Sequence, residues 1–210
     1  MERPDVLEPV DYLRAGIAIH NEGYHHAAHD AWEDRWLDLE EGDEKDLLQG
    51  LIQFTAAVHH ARERNWAGAT GLAASAREYL ADLDDDHDVN VGEVRDWLAR
   101  LERDPELLER EPVLELTHRG EPLRFGPDFK LAAVAAPLVA EARGYDPDLL
   151  AEAATYGLAD RADEGTLTQF ETFVLDFLNG GDRLPVVVQR LEQAVERRRS
   201  RENDVKGLFD

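Results

Sequence analysis

Two neighbouring segments of the sequence carry histidine, glutamate and glutamine residues at helical spacing. In the first segment, His26, His29, Glu33 and Trp36 project within about 80° of one another if each residue advances by about 100°. His29 and Glu33, four residues apart, can act as a general base and the carboxylate that orients it. With His26, the same pair can ligate a divalent metal ion. These residue types at this spacing predict a polar site along one helix face.

The second segment continues the pattern on the following helix. Gln49, Gln53, Ala56 and His60 lie within about 60° of one another. A short acidic loop joins the two helices, which favours antiparallel packing. The predicted facing pairs are Glu33 with Gln49 or Gln53, His29 with Gln53 and Ala56, and His26 or Glu22 with His60. We call His26, His29, Glu33, Trp36, Gln49, Gln53 and His60 the polar stripe.

Three interpretations of the polar stripe remain open. The first is a structural hydrogen-bond network in which Glu33 and Gln53 hold His29, within a tetratricopeptide-like helical interaction module. The second is a small-ligand or hydrolytic site. Its catalytic residues would be His29 and Glu33, and its ligand-binding residues Trp36, Gln49, Gln53 and His60. The third is a divalent-metal site, with candidate ligands His26, His29, Glu33 and His60. Whether the protein is an enzyme stays open, and no particular cofactor is indicated.

The residues of the stripe also belong to runs that are similar to a known family. These runs are His29-Asp30-Ala31-Trp32-Glu33, Leu48-Gln49-Gly50-Leu51-Ile52-Gln53 and Asn65-Trp66-Ala67-Gly68-Ala69. Over roughly residues 10 to 83 the chain resembles the bacterial and archaeal family called domain of unknown function number 309. The resemblance implies an all-helical fold and no settled activity. It assigns the motif to His29, Glu33, Trp36, Gln49, Gly50 and Gln53. One departure is Asp30, where the family usually has glutamate.

Charge is the strongest feature of the composition. The chain has 46 Asp and Glu residues against 23 Lys and Arg, a formal net charge of −23, and its only lysines are Lys45, Lys130 and Lys206. Acidic residues spread over the whole length predict adaptation to very high salt, where charge repulsion is screened within about 3 Å at 1 M. The same charge argues against nucleic acid as a partner. The one basic cluster, at Arg197–Arg199 and Arg201, is predicted to complement a helix C-terminus.

Several other classes are disfavoured by the sequence. No cysteine is present, so disulfides and zinc–thiolate sites are excluded. The longest apolar run, Leu131 to Ala140, is half of the roughly 20 residues that a membrane span needs. The N-terminus lacks the pattern of a signal peptide. We therefore predict a cytoplasmic protein with no membrane partner. A small polar ligand, a protein partner or a homo-oligomer remains open.

Hydrophobic periodicity predicts an all-α bundle of antiparallel helical hairpins. The predicted helices cover residues 10–20, 24–39, 45–64, 66–83, 91–103, 129–142, 147–156, 167–179 and 184–199. A small β-hairpin is predicted near 113–125, with strands at 113–116 and 123–125. We predict a helical domain over 1–110, a linker or small hairpin over 111–130, and a helical extension over 131–210. His20 and His87 lie beside residues that break helices and are predicted to be solvated.

Overall fold

The computed structural model describes residues 6–83, 88–164 and 168–206, and it confirms the predicted all-α fold. The structure is 72% helical, and its one sheet within the described residues has two short strands. The α-helices are α1 (Pro9–Asn21), α2 (His25–Trp36), α3 (Asp43–Arg62), α4 (Trp66–Tyr79), α5 (Val91–Arg103), α6 (Phe129–Ala142), α7 (Pro147–Glu164), α8 (Gln169–Asn179) and α9 (Leu184–Lys206). A 3₁₀ turn covers Leu107–Glu109. None of the described helices is both long and apolar enough to span a bilayer. His87 lies outside the described residues.

The chain divides into two compact units. Residues from Glu8 to Arg124 form the N-terminal unit, which contains α1 to α5. The described residues from Phe125 onwards form the C-terminal unit, which contains α6 to α9. The polar stripe therefore lies entirely within the N-terminal unit.

Helices α1 to α4 pack in sequence, each against the next. Helices α1 and α2 approach each other closely at Gly16 and Trp32. A Cβ atom on Gly16 would lie 2.1 Å from the indole Nε1 of Trp32, so only glycine fits there. The same Nε1 donates a hydrogen bond to the carbonyl of Leu13 at 3.2 Å, and Trp32 is fully buried. This contact fixes how α2 is rotated against α1.

The segment after the 3₁₀ turn is held by side chains rather than by a long hairpin. The small hairpin predicted near 113–125 is confirmed, but its strands are β1 (Thr117–His118) and β2 (Glu121–Pro122), which lie between the predicted strand positions at 113–116 and 123–125. The reason is Asn21, at the end of α1. Its Oδ1 accepts from Leu116 N at 2.8 Å, and its Nδ2 donates to the carbonyls of Leu116 and Leu123. The amide therefore takes the place of a neighbouring strand.

Two helices of the C-terminal unit run further than predicted. Helix α7 continues past Gly157, because this glycine serves close packing: a Cβ there would lie 2.6 Å from the ring of Phe129. Helix α9 continues to Lys206, so the arginine cluster lies inside the helix, and the prediction that it marks a C-terminus is wrong. Arg198 pairs with Asp160 at 3.1 Å, which ties α9 to α7.

Replacement of Gly16 by alanine tests the contact between α1 and α2. We expect Gly16→Ala to lower the free energy of unfolding by about 1–3 kcal/mol, because the rigid, buried indole must move to admit the methyl group. Gly71→Ala is the matched control, since Gly71 is an exposed residue within α4 with open space around its Cα. That change should raise the free energy by about 0.5–1 kcal/mol through helix propensity.

Urea unfolding in concentrated KCl, followed by circular dichroism, measures both variants. Equal stability of Gly16→Ala and wild type would contradict the close approach of the two helices.

Candidate functional site

Helix α2 presents two acid–imidazole pairs, each four residues apart. His29 Nε2 lies 3.7 Å from Glu33 Oε2, and 27% of the His29 side chain and 52% of the Glu33 side chain are exposed. His26 Nδ1 lies 3.7 Å from Asp30 Oδ1, and the His26 side chain is 87% exposed. The two pairs interleave over about two turns of the helix. His29 is thus the better shielded of the two imidazoles.

A set of three ligand atoms forms where these pairs overlap. One atom each from His29, Asp30 and Glu33 lies within 4.8 Å of the other two. Zinc binds such atoms at about 2.0–2.2 Å, so the three side chains would have to move closer together to hold one ion. Over the described parts of the chain, neither His26 nor His60 belongs to this set. Asp30 was absent from the predicted ligands, although its spacing from His26 was a usable signal.

On helix α3 the two predicted glutamines are half-buried. Gln53 Oε1 is buried and has no hydrogen-bond donor in the part of the chain that the structure describes. A buried acceptor without a partner costs about 1–3 kcal/mol, so it calls for a ligand or a water to satisfy it.

The relation of α2 to α3 follows from contacts beside their connecting loop. Lys45 Nζ lies 4.9 Å from the centre of the Trp36 ring, and Arg35 Nη2 lies 3.3 Å from Glu44 Oε1. In an antiparallel pair, residues that are equally far from the connecting loop lie side by side, because both helices rise by the same distance per residue. Counting seven residues back from Trp36 and seven forward from Lys45 brings His29 level with Ile52, one residue before Gln53. The facing of His29 and Gln53 therefore stays a prediction.

His60 has a structural partner at the turn between α3 and α4. Its Nδ1 lies 2.8 Å from Asn65 Nδ2. Asn65 caps α4, because its Oδ1 accepts from Gly68 N at 3.1 Å. Since that oxygen is committed to the cap, Nδ2 donates to His60, whose Nδ1 is therefore an acceptor. A direct role of His60 in ligand binding stays a prediction that would use its other nitrogen.

A second histidine pair, at the turn between α1 and α2, was missed by the sequence analysis. The prediction that His20 is solvated is wrong: only 2% of His20 and 7% of His25 are exposed. Their Nδ1 atoms are 3.2 Å apart, and the ring of His20 lies 5.0 Å from that of Phe54. The spacing of His20 from Ile17, which is also buried, was the signal that could have placed it on the inner face of α1.

The hydrogen bonds assign the protons of this pair. His20 Nε2 lies 2.9 Å from the carbonyl of Leu114, which can only accept, so Nε2 carries a hydrogen. In neutral His20 the Nδ1 atom then accepts from Nδ1–H of His25. The remaining nitrogen, His25 Nε2, is left as a buried lone pair without a partner. Both rings are thus held neutral.

Burial also keeps the two rings from taking up protons. Loss of hydration lowers the pKa of His20 to about 4. The hydrogen bond to the carbonyl of Leu114 acts in the opposite direction, and the nearby positive charge of Arg62 lowers the pKa further. Loss of hydration, followed by His20 and Arg62, lowers the pKa of His25 to about 3. Since an unfolded histidine titrates near 6.5, the unfolded chain binds more protons than the folded chain between these values.

The stability of the protein should therefore fall on mild acidification. Above about pH 6.5 the two neutral histidines have no effect of this kind on the free energy of unfolding. Below that pH, each histidine lowers the free energy of unfolding by up to about 1.4 kcal/mol per pH unit, until the pH reaches its pKa in the folded protein. We expect His25→Gln to reduce this slope, measured by urea unfolding between pH 7.5 and 5. His59→Gln, an exposed neighbour on α3, should keep the wild-type slope. Equal slopes in all three proteins would show that the buried pair does not control the response.

A protein-family model matches part of the N-terminal unit. The family model described as Domain of unknown function (DUF309) matches residues 13–72, which confirms the resemblance predicted from the motifs. The comparison with curated proteins found no relative. The matched segment runs from α1 into α4 and contains the whole polar stripe and both buried histidines.

Proposed function

We propose that the DUF309 region of this chain, residues 13–72, binds a divalent transition-metal ion on helix α2. The observation that carries the proposal is the convergence of His29, Asp30 and Glu33, whose ligand atoms lie within 4.8 Å of one another. One imidazole nitrogen and two carboxylate oxygens form a mixed donor set that suits zinc, manganese or iron.

The electrostatics of α2 support a cation rather than an anion at this place. Asp30 and Glu33 bring two carboxylates together in a chain with a net charge of −23. Their mutual repulsion is relieved by a bound cation, and His29 adds a neutral nitrogen ligand. Because 52% of the Glu33 side chain is exposed, an ion can reach the set without unfolding of the helix.

Gln53 supports a fourth contact from the facing helix. Its Oε1 is a buried acceptor without a donor among the described residues, and the predicted facing of His29 and Gln53 would bring it near the three ligands on α2. A metal ion or a metal-bound water would satisfy this oxygen. These features favour an open binding site over a closed hydrogen-bond network among His29, Glu33 and Gln53.

The proposed site also has room for chemistry. If Gln53 accepts a hydrogen bond from a metal-bound water, the three protein ligands on α2 leave a coordination position for that water or a small polar ligand, as in hydrolytic zinc sites. His26 stands beside Asp30 and would orient that carboxylate. We therefore propose small-ligand binding or hydrolysis at the bound metal as the biochemical role of this region.

Metal titration of the untagged protein tests the proposal. The protein is purified in concentrated KCl without chelator, and Co²⁺ binding is followed by visible absorption and by elemental analysis after dialysis. We expect one ion per chain, with at least tenfold weaker binding in His29→Ala, a loss of about 1.4 kcal/mol. Glu33→Gln should weaken binding similarly, and His59→Ala, which changes an exposed histidine outside the stripe, should bind as wild type.

Two results separate the parts of this proposal. Wild-type affinity in His29→Ala would refute the site on α2. Gln53→Leu tests the fourth contact alone: lower affinity supports ligation by Gln53. Unchanged affinity with higher stability would show that its oxygen is only an unsatisfied buried group.

A further inference from the structure

The C-terminal unit carries an apolar groove that lies outside the matched family segment. Helices α8 and α9 border this groove, which has a volume of about 390 Å³. Its lining residues are Phe173, Asp176, Arg183, Val186, Val187 and Arg190. Val186 is 51% exposed, so apolar surface on the α9 side of the groove is in contact with solvent. The groove is therefore a surface on which a partner would bury apolar area.

The residues along the α9 side follow a helical pattern. Arg183, Val186, Val187 and Arg190 stand at positions i, i+3, i+4 and i+7. The carbonyl of Arg183 accepts hydrogen bonds from Val186 N at 3.0 Å and Val187 N at 3.1 Å. Arg183, which precedes the first residue of α9, therefore continues the helical spacing of that helix. The two arginines are then about 10.5 Å apart along the axis, with the valines between them.

The arginines of the groove lie apart from the ion pairs that the structure describes in the C-terminal unit. In that unit Arg198 pairs with Asp160 and Arg143 donates to the carbonyl of Phe177, whereas the exposed Arg197, like the groove arginines, forms no ion pair among the described residues. Arg183 and Arg190 form no ion pair within the described residues, although acidic residues outnumber basic ones by 46 to 23. Two unpaired cations beside an apolar floor suit a ligand that is itself both acidic and apolar.

We propose that this groove binds an acidic amphipathic helix of a partner protein. Apolar side chains of the partner would pack on Phe173, Val186 and Val187. Two carboxylates seven residues apart would pair with Arg183 and Arg190, because both helices repeat at the same spacing. This is the helix-in-groove mode of recognition. A symmetric contact between the grooves of two copies of this chain fits less well. In such a contact each groove would offer one carboxylate, Asp176, to the two arginines of the other.

A synthetic peptide tests the proposal with the full chain. The probe is a fluorescein-labelled helix of roughly five turns with leucine at i+3 and i+4 and glutamate at i and i+7. Binding is followed by fluorescence anisotropy over a series of KCl concentrations. We expect Arg183→Gln/Arg190→Gln to raise the Kd at least tenfold, and Val186→Asp to abolish binding while the circular dichroism is unchanged. Arg103→Gln, which removes an exposed cation from the N-terminal unit, should leave the Kd unchanged.

A second peptide distinguishes direct ion pairs between glutamate and arginine from long-range electrostatic attraction. Replacing both glutamates by glutamine should weaken binding to wild type but cause no further loss in Arg183→Gln/Arg190→Gln, as a double-mutant cycle requires. Equal losses in Arg103→Gln and in the double variant would overturn the proposal, because the attraction would then be long-ranged. A wild-type dimer in sedimentation equilibrium that Val186→Asp converts to monomer would also overturn it and assign the groove to a contact between copies.

Discussion

The packing of Trp32 against Gly16 is the contact on which the geometry of the candidate site depends. It fixes the rotation of α2 about its own axis, and that rotation decides which side chains reach solvent. With Trp32 as the origin, His25 lies about 20° away, His29 about 60°, Glu33 about 100° and His26 about 120°. Their exposure rises in the same order, from buried His25 to solvated His26. One indole therefore accounts for a neutral buried imidazole and a shielded but accessible one on the same helix.

Local periodicity was sufficient to predict most of the helical framework. The predicted helices over 91–103 and 129–142 coincide with α5 and α6, because each is bounded by clear breaking residues and has a distinct apolar face. The predicted helix over 147–156 ended too early, at the residue before Gly157. A glycine predicts a helix end when it is judged by its backbone freedom, yet here its small size admits the ring of Phe129. A glycine that ends a helix and a glycine that permits close packing are identical in the sequence, and only tertiary packing distinguishes them.

The buried histidines were missed for a related reason. Asn21 follows His20 and was interpreted as a residue that breaks the helix, which predicted solvent around His20. In the structure His20 and Asn21 bond to Leu114 and Leu116, more than 90 positions later in the chain. Partners at such a distance in sequence leave no periodic signal near the turn. The stripe on α2 and α3 was predictable because its members share one helix face, whereas the histidine pair depends on a segment that only the fold brings near.

The predicted high-salt setting limits which interactions can carry binding in this protein. At 1 M salt, charges separated by more than about 3 Å are largely screened, so the net charge of −23 cannot steer a ligand over a long distance. Direct metal ligation and the burial of apolar surface act at contact distance and persist under these conditions. The proposed metal set on α2 and the apolar groove between α8 and α9 both depend on such contacts. The arginines of the groove would then act only when a carboxylate touches them, which makes them determinants of partner choice rather than of the rate of encounter.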